Sequence, residues 1–239
     1  MGIQMDRVNA WQAIKDFSND EFKEKIKTAQ LPEERQDLLL KFIQGKIQVS
    51  IDCKIDIEEY ALKQLMGTFY ESSTPQWHPY SSGEFYEYDP AKNGQNIIKH
   101  GIGFSEVISY SGGRFGVLQV PFPHKTDGQR YAVFSDLNLK HRGDKLAMPL
   151  PSTRDMNYTF SITTFREGKY RFISSRLLSS KKPKYKKTVE QVFKEIIPDE
   201  KERRGVIDRC VEIIERDLIH PAQPPFRARL IVVEPNLHD

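Results

Sequence analysis

Residues Glu84 to Glu106 read EFYEYDPAKNGQNIIKHGIGFSE, and they compress a short strand, one capped helix and a sharp exit into a single stretch. Phe85 to Tyr88 alternate as a half-exposed strand does. Asp89 is a good N-cap residue, and Pro90 suits the first helical position, where a missing N–H costs nothing. Gly101 suits the left-handed residue that closes a helix. Lys99 and His100 therefore fall at the helix C-terminus, where a cation is favoured, and their nitrogens project beside the first strand.

Downstream of this block the period changes from helix to strand. Phe115 to Phe122, Arg130 to Leu137, Tyr158 to Phe165 and Lys169 to Leu178 are strand-like runs, the last two joined by a tight turn at Arg166-Glu167-Gly168. Four successive strands after one helix predict an α+β fold, an antiparallel sheet with flanking helices and an N-terminal helical region. A polar loop between Asp136 and Asn157, rich in Lys, Arg and Pro, is longer than a hairpin needs. Thr188 with Gln191 offers a capping box for a helix carrying Val192 and Phe193; Asp199 opens a longer helix that ends before Pro221. Phe226 to Val233 is a late β-branched run suited to an edge strand.

Upstream, residues 1–72 read as helical. Ser18 with Glu21 forms a capping box, and Pro32-Glu33-Glu34 starts a helix that stops at Gly45. A third helix runs from Asp56 with Ile57, Ala61, Leu65 and Phe69 on one face, while Lys46 to Lys54 alternates like a short strand. Residues 73–83 read as a linker. The resulting division is a helical region at 1–72, a core at 84–187 and a C-terminal region at 188–239 with helices and a late strand.

The net charge of +3 hides a division along the chain. Residues 84–187 hold 18 Lys plus Arg against 9 Asp plus Glu, whereas each flank carries a net negative charge. A basic centre between acidic flanks fits either a solvated surface or a nucleic-acid-binding module, since Lys and Arg supply most non-specific affinity for phosphate. No apolar run approaches a membrane span and no basic-then-apolar order opens the chain, so a cytoplasmic protein is expected. Cys53 and Cys210 are too few for a disulfide framework and read as packed, reduced thiols.

No metal-binding spacing, nucleophile elbow, Walker loop or dinucleotide fingerprint is present, and no cofactor is expected. Those absences favour a substrate that carries its own nucleophile. RNA does so, because a 2′-hydroxyl attacks the adjacent phosphate once a base removes its proton and a cation stabilises the phosphorane. His100 is the natural titrating group, though a residue at a helix C-terminus also serves simply to cap carbonyls. Lys99 shares that ambiguity. Arg171 and Arg176, five apart on one strand, point to opposite faces of a regular strand; Arg176 lies near the strand end, and Arg171 suits a phosphate clamp. Arg130 opens a strand as a further cationic candidate, and Asp89 is most simply a cap. Glu106 either acts as a base or holds Lys99 or His100 in place. Lys181, Lys182, Lys184 and Tyr185 belong to a basic run that is expected to meet phosphate, although strand tyrosines more often pack than stack.

The block from residue 84 resembles the opening of the BrnT family of toxin ribonucleases. Asp89, Pro90, Lys92, Asn96, Lys99, His100, Gly101, Ile102, Phe104 and Glu106 fall in register with that family's signature. Gly128-Gln129-Arg130 and the strand Arg171 to Arg176 match two later blocks in the same order. The resemblance covers residues 84–187 and implies a RelE-like fold and a metal-independent endoribonuclease that inhibits translation. It further implies His100 and Lys99 as catalytic groups with Arg176 and Arg171 on the phosphate, and a ribbon-helix-helix antitoxin of BrnA type as partner in a type II toxin–antitoxin system. The chain departs from the family pattern after Arg176, where Leu177 to Lys182 lack the acidic residue found there, and in its enlarged loop and helical extensions. These departures suit a second reading, a non-catalytic module that binds protein or nucleic acid. A third is that residues 1–72 act as a built-in inhibitor.

Overall fold

The computed structural model describes residues 6–73, 85–126, 128–137 and 156–221. Most of the linker expected at 73–83, most of the loop after Asp136 and the run from Phe226 to Val233 lie outside them. Within the described residues the fold is α+β, with helices around a five-stranded sheet in the order β1-β5-β4-β3-β2. The strands are β1 (Tyr86–Glu87), β2 (Leu118–His124), β3 (Gly128–Asp136), β4 (Met156–Arg166) and β5 (Lys169–Ser179). All pair antiparallel except β1, which lies parallel to β5. The tight turn between β4 and β5 uses Glu167 and Gly168, both at positive φ, as a two-residue hairpin of the favoured twist requires.

Upstream of the sheet are α1 (Arg7–Lys15), α2 (Asn19–Ile26), α3 (Glu33–Ile43), α4 (Ile51–Leu65) and α5 (Gly67–Ser73). The Ser18–Glu21 capping box forms as expected, in both directions. The run from Lys46 to Lys54, expected as a strand, instead leads into α4, whose first turn starts at Ile51 behind Ser50. Short alternation is weak information when a long helical stripe begins three residues later. After the sheet come α8 (Lys182–Ile196) and α9 (Glu200–Ile213), the latter continuing as a π-helical stretch, Ile214–Ile219. Asp199 caps α9 by accepting from the Glu202 N–H at 2.7 Å. For α8 the expected start at Thr188 is corrected. The helix begins six residues earlier with Pro183 in its first turn, and the Thr188 hydroxyl donates back to Lys184 O in mid-helix.

The central block folds as α6 (Pro90–His100) followed by α7 (Phe104–Tyr110). The second helix was not expected; its apolar residues Phe104 and Val107 are fully buried, and Glu106 caps its start by accepting from the Gly103 N–H at 2.6 Å. Asp89 accepts from the Lys92 N–H at 3.1 Å, and Gly101 closes α6 at φ 75°.

Helix α6 is where the helical region and the sheet meet. Ala91, Ile97 and Ile98 complete the core of the N-terminal helices, which contains Phe22, Ile26, Leu39, Ile57 and Leu65. The backbones of α4 and α6 cross so closely at Gly94 that a Cβ there would lie 1.9 Å from Asp56 O. The described residues of this helical region, 6–73, therefore supply the other half of α6's packing, an arrangement unlike that of a detachable inhibitor. On its far side α6 meets β5 through Asn96. The Asn96 amide accepts from the Ser175 N–H at 2.9 Å and donates to Ser175 O at 3.0 Å, as a neighbouring strand would. On the opposite edge, β2 carries Pro121 and Pro123.

Two further apolar clusters flank the sheet. Phe122, Phe134, Phe160, Ile162 and Leu178 face α8 and α9, packing against Tyr185, Val189, Phe193, Val206 and Ile214. Tyr86, Tyr88, Phe104, Val107 and Phe172 pack together near the β1–β5 edge. Cys53 and Cys210 are both buried thiols, and burial pushes the Cys210 thiol pKa up. Among the described residues no helix is long and apolar enough to cross a membrane.

Candidate functional site

One stripe of α6 is polar for a reason. Lys92, Gln95, Asn96, Lys99 and His100 follow the spacing of a single helical face, opposite Ala91, Gly94, Ile97 and Ile98, which are buried. That stripe forms one wall of a cleft of about 200 Å³. The floor is Arg130, Ile173, Ser174 and Arg176 from β3 and β5; the other wall is the C-terminal turn of α8, with Val192, Glu195 and Ile196. Four residues singled out from sequence thus converge: His100, Lys99, Arg176 and Arg130.

Arg171 joins them through a backbone irregularity. In a regular strand it would face away from Arg176, but between Ile162↔Ser174 and Thr163↔Phe172 the β5 strand has one extra residue, Ile173. Counted on β4, Arg176 lies opposite Phe160 and Arg171 opposite Thr164, both on the same face. The bulge corrects the expectation that the two arginines point to opposite faces. Arg171 lines a second cleft of about 340 Å³ together with Asp89, Lys92, Arg130, Thr164 and Arg166. Lys92, Arg130 and Ile173 line both clefts, so the two are adjoining parts of one groove.

The electrostatics of the cleft are one-sided. His100 is held well below the usual imidazole pKa, first by burial and then by the positive charges of Arg176, Lys99 and Arg35, the last reaching it from α3. The ring is consequently neutral at pH 7 and able to accept a proton. Burial likewise lowers the Arg176 pKa, against the opposing influence of Glu195, whose carboxylate stands 3.5 Å away. Arg176 Nε is buried with no hydrogen-bond partner. A guanidinium so placed keeps unsatisfied donor capacity beside the cleft. Arg171 stands 3.9 Å from Glu87. Lys92 and Lys99 form no ion pair among the described residues.

The remaining candidates lie elsewhere. Lys181 stands at the N-cap position of α8 and Lys182 and Lys184 occupy its first turn, Lys182 some 13 residues and roughly 20 Å along the helix from Glu195. Lys182 pairs with Glu215 at 2.6 Å. Tyr185 is 2% exposed, packs beneath the sheet and donates its hydroxyl to Glu215 at 2.9 Å; burial, and then this carboxylate, push its pKa up to about 12. Its expected role as a substrate contact is corrected: the ring faces the core because α8 starts early enough to turn it inward. Tyr170 also packs, its hydroxyl donating to Gln119 at 3.2 Å. Asp89 is occupied as the α6 cap and by Lys63 at 3.7 Å.

Sequence reasoning missed Gln95, Arg166 and Glu195 on the groove lining and the charge of Arg35 acting on His100. Gln95 had a local signal, its place on the α6 stripe, and Arg166 lies in the same hairpin as Arg171; Arg35 and Glu195 arrive from distant segments. Comparison of the chain with family models, with curated proteins and with solved structures gives no match.

Proposed function

We propose that the chain is a toxin-like, metal-independent endoribonuclease of the kind its resemblance to the BrnT family implies. The observation that carries this reading is the convergence of a neutral, half-buried imidazole with Lys99, Arg130 and Arg176 in one open cleft. In the proposed reaction His100 takes the proton from a ribose 2′-hydroxyl. The freed oxygen attacks the adjacent phosphorus, Arg176 and Arg130 balance the charge that builds on the non-bridging oxygens, and Lys99 supplies a proton to the departing 5′-oxygen. The products are a 2′,3′-cyclic phosphate and a 5′-hydroxyl end. Such a protein acts on RNA in the cytoplasm and is held inactive by a ribbon-helix-helix antitoxin of BrnA type.

A second reading, a binding module without catalysis, also has an observation behind it. Asp89, Asn96, Gly101, Ile102, Phe104 and Glu106 all cap, clip or pack in this fold, so the signature can persist for structural reasons alone. Induced expression separates the two. The nuclease reading expects growth arrest with fragmented RNA bearing cyclic-phosphate ends, abolished by His100→Ala and by Arg176→Ala. Healthy growth with intact RNA, or cleavage unchanged in both variants, counts against it.

A further inference from the structure

The cleft at His100 accounts for one phosphate, yet the cationic surface continues past it. Beyond Ile173 the groove is lined by Lys92, Arg130, Arg166 and Arg171, with Asp89 as the one carboxylate on that lining. The arginines gather there by strand geometry. Arg130 pairs with Phe122, Arg171 lies opposite Thr164, and Arg166 follows two residues after Thr164, so all three lie on one face at the hairpin end of the sheet. Among the described residues, the apolar cluster beneath α8 and α9 stops at Ile162 on β4, short of Thr164 and Arg166. The second cleft is also the larger of the two, about 340 Å³ against about 200 Å³.

Distance decides what this surface takes. The rows of Arg176 and Arg171 are separated by the four residues from Phe160 to Thr164, about 13 Å of strand. Successive phosphates of an extended chain, one beside each row, fit that separation. We propose that the Lys92–Arg130–Arg166–Arg171 groove is a second phosphate subsite, which makes the substrate class single-stranded RNA running across the sheet face from one cleft into the other. A single strand suits the site for two reasons. It can turn its backbone into a cleft walled by α6 and α8, and it can rotate a 2′-hydroxyl into line with the leaving oxygen, which a regular duplex holds out of line. At Arg171 the incoming phosphate replaces Glu87 as the partner of the guanidinium.

This inference rests on the nuclease reading for its choice of RNA, and its test is arranged so that the two fail separately. A labelled single-stranded oligodeoxynucleotide lacks the 2′-hydroxyl and cannot be cut by the proposed reaction, so its binding reports the groove alone. Affinity is measured by anisotropy across a salt series. Arg166→Ala and Arg171→Ala are each expected to flatten the slope of log K against log salt by about 0.7, the value for one lost contact to a single strand. Arg216→Ala is the control, because Arg216 is exposed and engaged by Glu212 and Asp217; its slope is expected to match the wild type. Arg166 is exposed at a hairpin end, so its removal leaves the core intact and keeps the test valid if Arg171→Ala folds poorly. Unchanged slopes in both groove variants overturn the proposal, as does equal affinity for a duplex of the same sequence. Normal binding and slope changes with uncut oligoribonucleotide leave the groove standing and remove the nuclease.

Discussion

Two ends of one sheet face have opposite characters. Along β3 the residues on that face run Phe134, Ala132, Arg130; along β4 they run Phe160, Ile162, Thr164, Arg166. Each strand passes from aromatic through aliphatic to guanidinium, and the change falls where the cover of α8 and α9 ends. Phe134, Phe160 and Ile162 are 1–2% exposed, whereas Arg166 is open to solvent. The contrast teaches that alternation across a strand sets which residues share a face, but the gradient along the strand sets which stretch of that face is core and which is site. A helix laid over only part of a sheet thus makes both from the same strands.

The contrast can be broken at its support, at either end, or at its titrating group. The largest effect is expected from deleting residues 1–73, which strips α6 of the cluster containing Ala91, Ile97 and Ile98. The shortened chain is expected to lose its cooperative unfolding transition, as followed by circular dichroism; a stable, more toxic fragment would restore the built-in inhibitor. Next is Phe160→Ala at the covered end, where stacking on Phe134 at 5.0 Å and contact with Phe193 are lost. A loss of about 3–5 kcal/mol is expected in chemical denaturation.

A smaller effect concerns pH. Because the folded-state pKa of His100 is depressed, the unfolded chain binds its proton first as pH falls below about 6.5. Stability associated with the neutral ring is thus complete above that pH and declines as pH falls towards the folded pKa. His100→Gln is expected to flatten the acid side of a Tm–pH curve; an identical curve would mean that the ring titrates normally. The proposed nuclease should also hold its kcat/KM plateau below pH 6.5. Smallest of all is Arg166→Ala at the open end, expected to shift stability by less than about 0.5 kcal/mol while weakening the salt dependence of strand binding. A stability loss comparable with that of Phe160→Ala would show that the open end is also core.

Much of this architecture was legible because its signals are local. The cap at Asp89, the glycine exit at Gly101, the Ser18 box and the hairpin at Glu167-Gly168 depend on a few consecutive residues, and all form as read. The four strands of the basic centre also appear, within a few residues of their expected ends. What escaped depends on partners far along the chain. α7 is short, and its burial against Tyr88 and Phe172 sustains it more than any periodicity does. The bulge at Ile173 leaves no mark in the composition of β5, yet it decides that Arg171 and Arg176 share a face. Arg35 and Glu195 reach the site from α3 and α8, regions where nothing in the neighbouring residues marks them as different from other surface charges.

The Asn96 side chain has a consequence for assembly. Past the two residues of β1, an exposed β5 backbone would be an invitation to a strand from another molecule. Asn96 answers that invitation from within by offering Ser175 one acceptor and one donor, the pair a visiting peptide would otherwise supply. At the other margin, Pro121 and Pro123 withhold two backbone donors from any neighbour of β2. With both margins of the sheet blunted in this way, another protein that takes hold of this molecule is expected to grip helices, loops or the open arginine face, and not to lengthen the sheet by a sixth strand.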